Sequence, residues 1–215
     1  SCLDEKEAKD TFTYLKNVAS INPLGKDENS DGILKDMYDK CDFIGNDTAA
    51  SCYLIPTQHA PKSYRKKQLI FPFGCNSSQK EAVNNAFKHQ ISVIQGPPGT
   101  GKSYTIASVI SSYLDAGKTV CVTTMANKGL IELIKQKPLQ KYVKEGRVSK
   151  TNLSIDERKQ VSGVKAASAD LQVSGGEMLC ATNYQLSSVF SEKKMTLYGL
   201  PQYDLVVIEE ASQAF

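Results

Sequence analysis

The stretch Ile91-Ser-Val-Ile-Gln-Gly-Pro-Pro-Gly-Thr-Gly-Lys-Ser103 decides how the rest of the chain is read. From Gly96 to Ser103 it meets every position of the G-x-x-x-x-G-K-[ST] phosphate loop. Ile91 to Ile94 ahead of it reads as a short buried strand, and Thr105 to Leu114 behind it as a helix ended by Ala116-Gly117. Strand, loop and helix in that order are what the motif requires. Gly96, Gly99 and Gly101 leave room for backbone N–H groups to converge on an anion and allow the φ values that such a turn needs. The following helix turns its unpaired N–H groups and positive dipole end toward the same anion. Lys102 reaches the β and γ oxygens of a nucleotide, and the Ser103 hydroxyl suits Mg²⁺. Gly96, Pro97, Pro98, Gly99, Thr100, Gly101, Lys102, Ser103 and Tyr104 are therefore the candidate cofactor-binding segment, with Lys102 also catalytic.

A phosphate loop needs an acid near the metal, leaving the end of a buried parallel strand. Asp204-Leu-Val-Val-Ile-Glu-Glu210 meets that need. Side chains alternate along a strand, so adjacent acids address different targets. Glu209 is assigned to the metal together with Ser103, and Glu210 to polarising the attacking water.

Outward from these two segments the pattern is strand alternating with helix. Thr119 to Thr123, Met178 to Ala181 and Leu205 to Ile208 read as strands, the last two buried. Ser78 with Glu81 predicts a capping box opening one helix, Leu130 to Ile134 lie at helical spacing, and Ser154 with Glu157 predicts a capped helix that runs to Ser174-Gly175-Gly176. Such alternation implies an α/β fold, a parallel sheet with helices on both faces. Ahead of it, apolar stripes at 5–19 and 33–41 predict two helices, and 45–73 reads as a connecting segment. The expected division is 1–70, a helical accessory segment and linker, and 71–215, a nucleotide-binding domain with a basic insertion at about 138–176.

Composition excludes whole classes. The 215 residues, 40% hydrophobic and 23% charged, contain no apolar run long enough to span a membrane and exclude a disordered chain. The six cysteines lie far apart without a Cys-x-x-Cys pair, which argues against a zinc site or disulfide framework and for a reducing, cytoplasmic compartment. The formal charge is +3, but the first fifty residues hold eleven acids against six bases. The basic excess is densest between Lys128 and Lys165, where a solvated helical face and a phosphate-binding surface are both open readings.

Four ordered motifs resemble the superfamily 1 helicases of the nonsense-mediated-decay group and their bacterial relatives: Asn76-Ser-Ser-Gln79, the phosphate loop, Val122-Thr-Thr-Met-Ala-Asn127 and Val207-Ile-Glu-Glu-Ala-Ser-Gln213. The resemblance covers about 71–215 and implies a RecA-like first motor domain. It implies ATP and Mg²⁺ as cofactors, with Gln79 reading the adenine edge, and single-stranded DNA or RNA as partner. Thr123, Thr124 and Asn127 then contact the strand backbone, with Thr182 matching a second contact motif more loosely. Two departures follow. The family usually has Asp where this chain has Glu209, and the added methylene, about 1.5 Å, is expected to weaken metal support. The sequence stops before the family's γ-phosphate sensor and second motor domain, so it is expected to be a fragment that binds ATP but hydrolyses it poorly. The implied function is an ATP-dependent helicase or translocase; the alternative is a nucleotide-binding switch or scaffold without motor activity.

Overall fold

The computed structural model describes residues 75–192 and 202–211. The accessory segment expected at 1–70, with its two helices and its basic cluster, lies outside them. In chain order the elements are α1 (Ser77–Lys88), α2 (Lys102–Asp115), β1 (Val120–Thr124), α3 (Asn127–Ile134), a 3₁₀ turn (Lys137–Leu139), α4 (Gln140–Lys144), β2 (Val148–Thr151), α5 (Ile155–Gln160), β3 (Lys165–Ala167), β4 (Met178–Thr182), α6 (Asn183–Glu192) and β5 (Leu205–Ile208). The strands form one parallel sheet in the order β3-β2-β4-β1-β5. Val122 is registered with Cys180 on one side and Val207 on the other, so β1 is central to the half that carries the acidic pair.

Burial follows from that topology. β1 and β4 have neighbours on both edges and are buried at every position. Ile106, Ile110 and Leu114 of α2 pack on them together with Leu130, Leu133 and Ile134 of α3. Tyr142 of α4 is buried in the same core, and its hydroxyl finds the Ser111 carbonyl at 2.9 Å. Arg147 lies over the Tyr142 ring at 4.9 Å and donates to the Leu114 and Gly176 carbonyls, which closes the C-terminal end of α2. A β-carbon at Gly176 would fall 2.2 Å from that guanidinium.

The sheet corrects several sequence expectations. Residues 91–94 form no strand, and Val93 is 82% exposed: among the described residues no strand lies beside this run to complete a ladder. β5 is edge-positioned, so its burial alternates, with Val206 and Ile208 exposed rather than buried. The capping box of α1 is Asn76 with Gln79, not Ser78 with Glu81. Asn76 Oδ1 accepts from the Gln79 amide at 2.8 Å and Gln79 Oε1 from the Asn76 amide at 3.0 Å. The helix opened by Ser154 and Glu157 has its expected cap but ends at Gln160, because the chain then turns into β3. Residues 138–176, read as a basic insertion, contribute β2 and β3 to the sheet itself. Lys135, Lys141 and Lys159 each hold an acceptor at the surface, which fits the solvated-face reading better than a continuous phosphate groove, whereas Lys150 is buried and Arg147 packs on Tyr142.

The start of β5 is stapled to the start of β1 by Asp204. One carboxylate oxygen takes Lys118 Nζ at 2.9 Å, and the other takes the Thr119 amide and hydroxyl at 2.9 and 3.0 Å. Partial burial works against the charged form, but these hydrogen bonds outweigh it and hold the Asp204 carboxyl below its ordinary value of 3.8. Its contribution is thus complete above that pH and declines as pH falls toward the lower folded-state value. Asp204→Asn should lower Tm by about 2–4 °C at neutral pH. The difference from the unaltered protein should shrink in melts below pH 3.8; a constant gap from pH 7 to 3 would rule the staple out.

Candidate nucleotide site

Gly101 ends the loop as the N-cap of α2 with φ 78°, and Gly99 has φ 84°. Both lie in the left-handed region that glycine enters without strain. Gly96 is required for another reason: a β-carbon there would sit 2.6 Å from Thr100 Oγ1, which is itself tied to the Pro97 carbonyl at 2.8 Å. The Thr105 amide is bonded to the Gly101 carbonyl at 2.9 Å, so the helical ladder begins there and the amides of Lys102 and Ser103 precede it in the first turn. Pro98 is exposed on the loop and Tyr104 is half-buried in that first turn.

α1 packs against this helix by the stacking of Phe87 on Tyr113, ring centroids 4.6 Å apart. That packing brings Gln79 to the loop, where Nε2 donates to the Thr100 carbonyl at 3.2 Å. A β-carbon at Gly101 would lie 2.7 Å from the same Nε2. Gln79 therefore joins its own helix cap to the phosphate loop, and its amide keeps one further donor and one lone pair beyond these bonds.

Across the loop stand the two acids. The Glu209 amide donates to the Thr123 carbonyl at 2.9 Å, continuing the β5 pairing one residue past the strand. Glu210 then takes φ 55°, an uncommon conformation for a residue with a β-carbon, and this turns its side chain away from the direction of Glu209. The two acids meet different partners: Ser103 Oγ donates to Glu209 Oε1 at 3.1 Å, while Lys102 Nζ pairs with Glu210 Oε1 at 3.4 Å. Glu209 is 6% exposed, and burial pushes its carboxyl up, countered by the Ser103 bond, raised again by the Glu210 charge and lowered by Lys102. Glu209 Oε2 is buried without a hydrogen-bond partner among the described residues. A β-carbon at Gly129 would lie 3.8 Å from that oxygen and 3.2 Å from Thr124 Oγ1, a proximity that no motif announced.

The candidate strand contacts separate. Thr123, Thr124 and Thr182 are buried, whereas Asn127, the first residue of α3, is exposed. Thr123 Oγ1 donates to Asn183 Oδ1, and Thr182 caps α6 reciprocally with Gln185. The Thr123 and Thr182 hydroxyls thus brace the carboxyl ends of their strands, which lie beneath the helix starts. Lys150, whose side chain reaches Asn127, was not singled out among the bases of its stretch; only its place in a strand marks it off.

The loop, the capped helix and the acids at a parallel strand end define a P-loop nucleotide-binding domain of the RecA-like class. Residues 74–157 match the AAA domain family. A 35-residue segment is 57% identical to the ATP-dependent helicase upf1 of Schizosaccharomyces pombe, covering 16% of this chain and 4% of that protein. An 81-residue segment is 33% identical to the Regulator of nonsense transcripts 1 homolog of Drosophila melanogaster, covering 37% and 6%. A 39-residue segment is 46% identical to the DNA polymerase alpha-associated DNA helicase A of Saccharomyces cerevisiae, covering 18% and 6%. Over these segments the chain is similar to helicases of the nonsense-transcript regulator group. These matches span only 4–6% of the relatives' own length.

Ser103→Ala would leave both Glu209 oxygens unpartnered in a buried position. Without nucleotide it should cost about 1–3 kcal/mol in a denaturant titration; an unchanged midpoint and slope would mean that the serine does not support the carboxylate.

Proposed function

We propose that this chain is the ATP-binding part of a motor that hydrolyses ATP while moving on single-stranded nucleic acid. The observation that carries the reading is the pairing of Ser103 with Glu209 and Lys102 with Glu210 across one loop. The donor set fits Mg²⁺: a hydroxyl and a carboxylate, both hard oxygen ligands, with one carboxylate oxygen buried and without a hydrogen-bond partner among the described residues. Ser103 and Glu209 would hold the ion, and when bound it neutralises charge on the β and γ phosphate oxygens. The longer Glu209 side chain supports this rather than opposing it, since it already reaches Ser103.

The chain's own groups would then act in sequence. The first-turn amides of α2 and the loop amides bind the phosphate oxygens, and Lys102 exchanges its contact with Glu210 for the γ-phosphate. Released from Lys102, Glu210 accepts the proton of a water whose oxygen attacks the γ-phosphorus. The bond to the β-γ bridging oxygen breaks, leaving ADP and inorganic phosphate. Gln79, fixed beside the loop, has the remaining donor and acceptor to read an adenine edge.

Asn127 and the exposed turn at Met125, Ala126 and Lys128 form the strand-contacting surface in this reading. Polar side chains there suit a sugar-phosphate backbone without base preference. A second motor domain of the same protein completes the cleft and supplies a further cation, within a reducing, cytoplasmic compartment that suits the free thiols of Cys121 and Cys180. The division into an accessory segment at 1–70 and a motor domain at 71–215 belongs to this reading.

Two variants of the full-length protein test it. Lys102→Ala should weaken ATP binding more than tenfold in a fluorescent-nucleotide titration, since a charge-assisted phosphate contact is lost. Undiminished affinity would refute the loop assignment. Glu210→Gln should bind ATP normally yet lose most strand-stimulated turnover, about 10²-fold or more. Turnover at the unaltered rate would remove Glu210 from the chemistry, and ATP binding without turnover in the unaltered protein would favour a nucleotide switch.

A further inference from the structure

Lys150 is fully buried, and its ammonium places all three protons. One goes to the Thr151 carbonyl at 3.0 Å, one to Glu157 Oε2 at 3.2 Å and one to Asn127 Oδ1 at 3.0 Å. Three elements therefore meet at one nitrogen: β2, the start of α5 and the start of α3. Glu157 is itself committed, since Oε2 also accepts the Ser154 amide at 2.9 Å in the α5 capping box. Burial opposes its charged form, but the Ser154 amide and Lys150 bring its carboxyl below the ordinary value.

Stability alone does not account for this arrangement. A buried ion pair is often replaced by apolar side chains of similar volume without loss, because desolvation offsets the attraction. Local helix capping does not explain it either. The N-cap of α3 is Ala126, which makes no side-chain cap, and Asn127 turns its carboxamide oxygen to Lys150 instead of serving its own helix. What the lysine does is fix the rotamer of an exposed side chain. With Oδ1 held from inside, the two Nδ2 protons are presented outward.

We propose that Lys150 is a positioning residue for nucleic-acid binding: it holds Asn127 by Oδ1 so that the Nδ2 group is pre-aimed at a backbone oxygen of the strand. This rests on the reading of Asn127 as a strand contact. An exposed asparagine would otherwise lose rotamer freedom on binding, and fixing it beforehand removes that cost. Lys150 never touches the strand, so its effect must pass through Asn127.

The test is a double-mutant cycle on the full-length protein, read by anisotropy of fluorescent poly-dT and poly-rU oligonucleotides and by strand-stimulated ATPase. Asn127→Ala should weaken strand affinity about tenfold. Lys150→Met should weaken it by a similar factor, raising the strand concentration for half-maximal stimulation with the maximal rate and ATP affinity unchanged. Lys150→Met added to Asn127→Ala should cost no further affinity, although it lowers Tm in either background. If Asn127→Ala alone changes nothing, the strand reading of Asn127 falls and the proposal with it. If Asn127→Ala weakens binding but Lys150→Met has no effect, or a full additional one, only the Lys150 link is overturned. Should Lys150→Met fail to fold, side-chain amide relaxation of asparagine-labelled unaltered protein decides. An order parameter near about 0.85 for Asn127 supports the proposal, and one below about 0.6 overturns it.

Discussion

The Ser103 hydroxyl held against a buried Glu209 carboxylate is the contact on which the site depends. It joins residues 106 positions apart, the first turn of α2 and the exit of β5, and so fixes where the loop faces. The contact leaves the carboxylate incomplete: among the described residues Glu209 Oε2 is buried without a hydrogen-bond partner. A group in that condition costs folding free energy, which a bound cation would offset.

The same strand ends serve the second surface. The Thr123 carbonyl takes the Glu209 amide, while the Thr123 hydroxyl reaches Asn183 at the start of α6. One residue of β1 therefore ties the acid of the nucleotide site to the polar group of the neighbouring strand end. Thr124, next along, lies with Glu209 against Gly129, which has no β-carbon to intervene. The acid and the start of α3 are thus joined by backbone and short side chains.

The phosphate loop and the acid pair were legible because their chemistry is local. Glycines where amides must converge, a lysine and hydroxyl at a helix start, and two acids after four apolar residues are each constrained by immediate neighbours. Ile91 to Ile94 and Val206 to Ile208 misled for the opposite reason. An apolar run states what it prefers to bury but not which strand will lie beside it, and here Ile91, Val93, Val206 and Ile208 are exposed while Ile94 and Val207 pack against the core. The cap of α1 was misplaced by two residues because Asn76-Ser-Ser-Gln-Lys-Glu81 carries two overlapping boxes, and the one whose glutamine also reaches Thr100 prevailed.

Lys150 shows how far composition can hide a role. In a stretch rich in lysine and arginine it reads as one more solvated base, and its neighbours Lys141 and Lys159 are just that, paired with surface acids. Its difference lies in β2, a strand defined by its register with β3 and β4, since four residues with three polar side chains carry no clear period. Inside the sheet, a lysine needs three acceptors, and those come from segments 23 residues before it and one and seven after it. No local pattern encodes such a convergence. The fold determines it by bringing β2 beneath the starts of α3 and α5, so the order of the strands also sets the aim of an exposed asparagine.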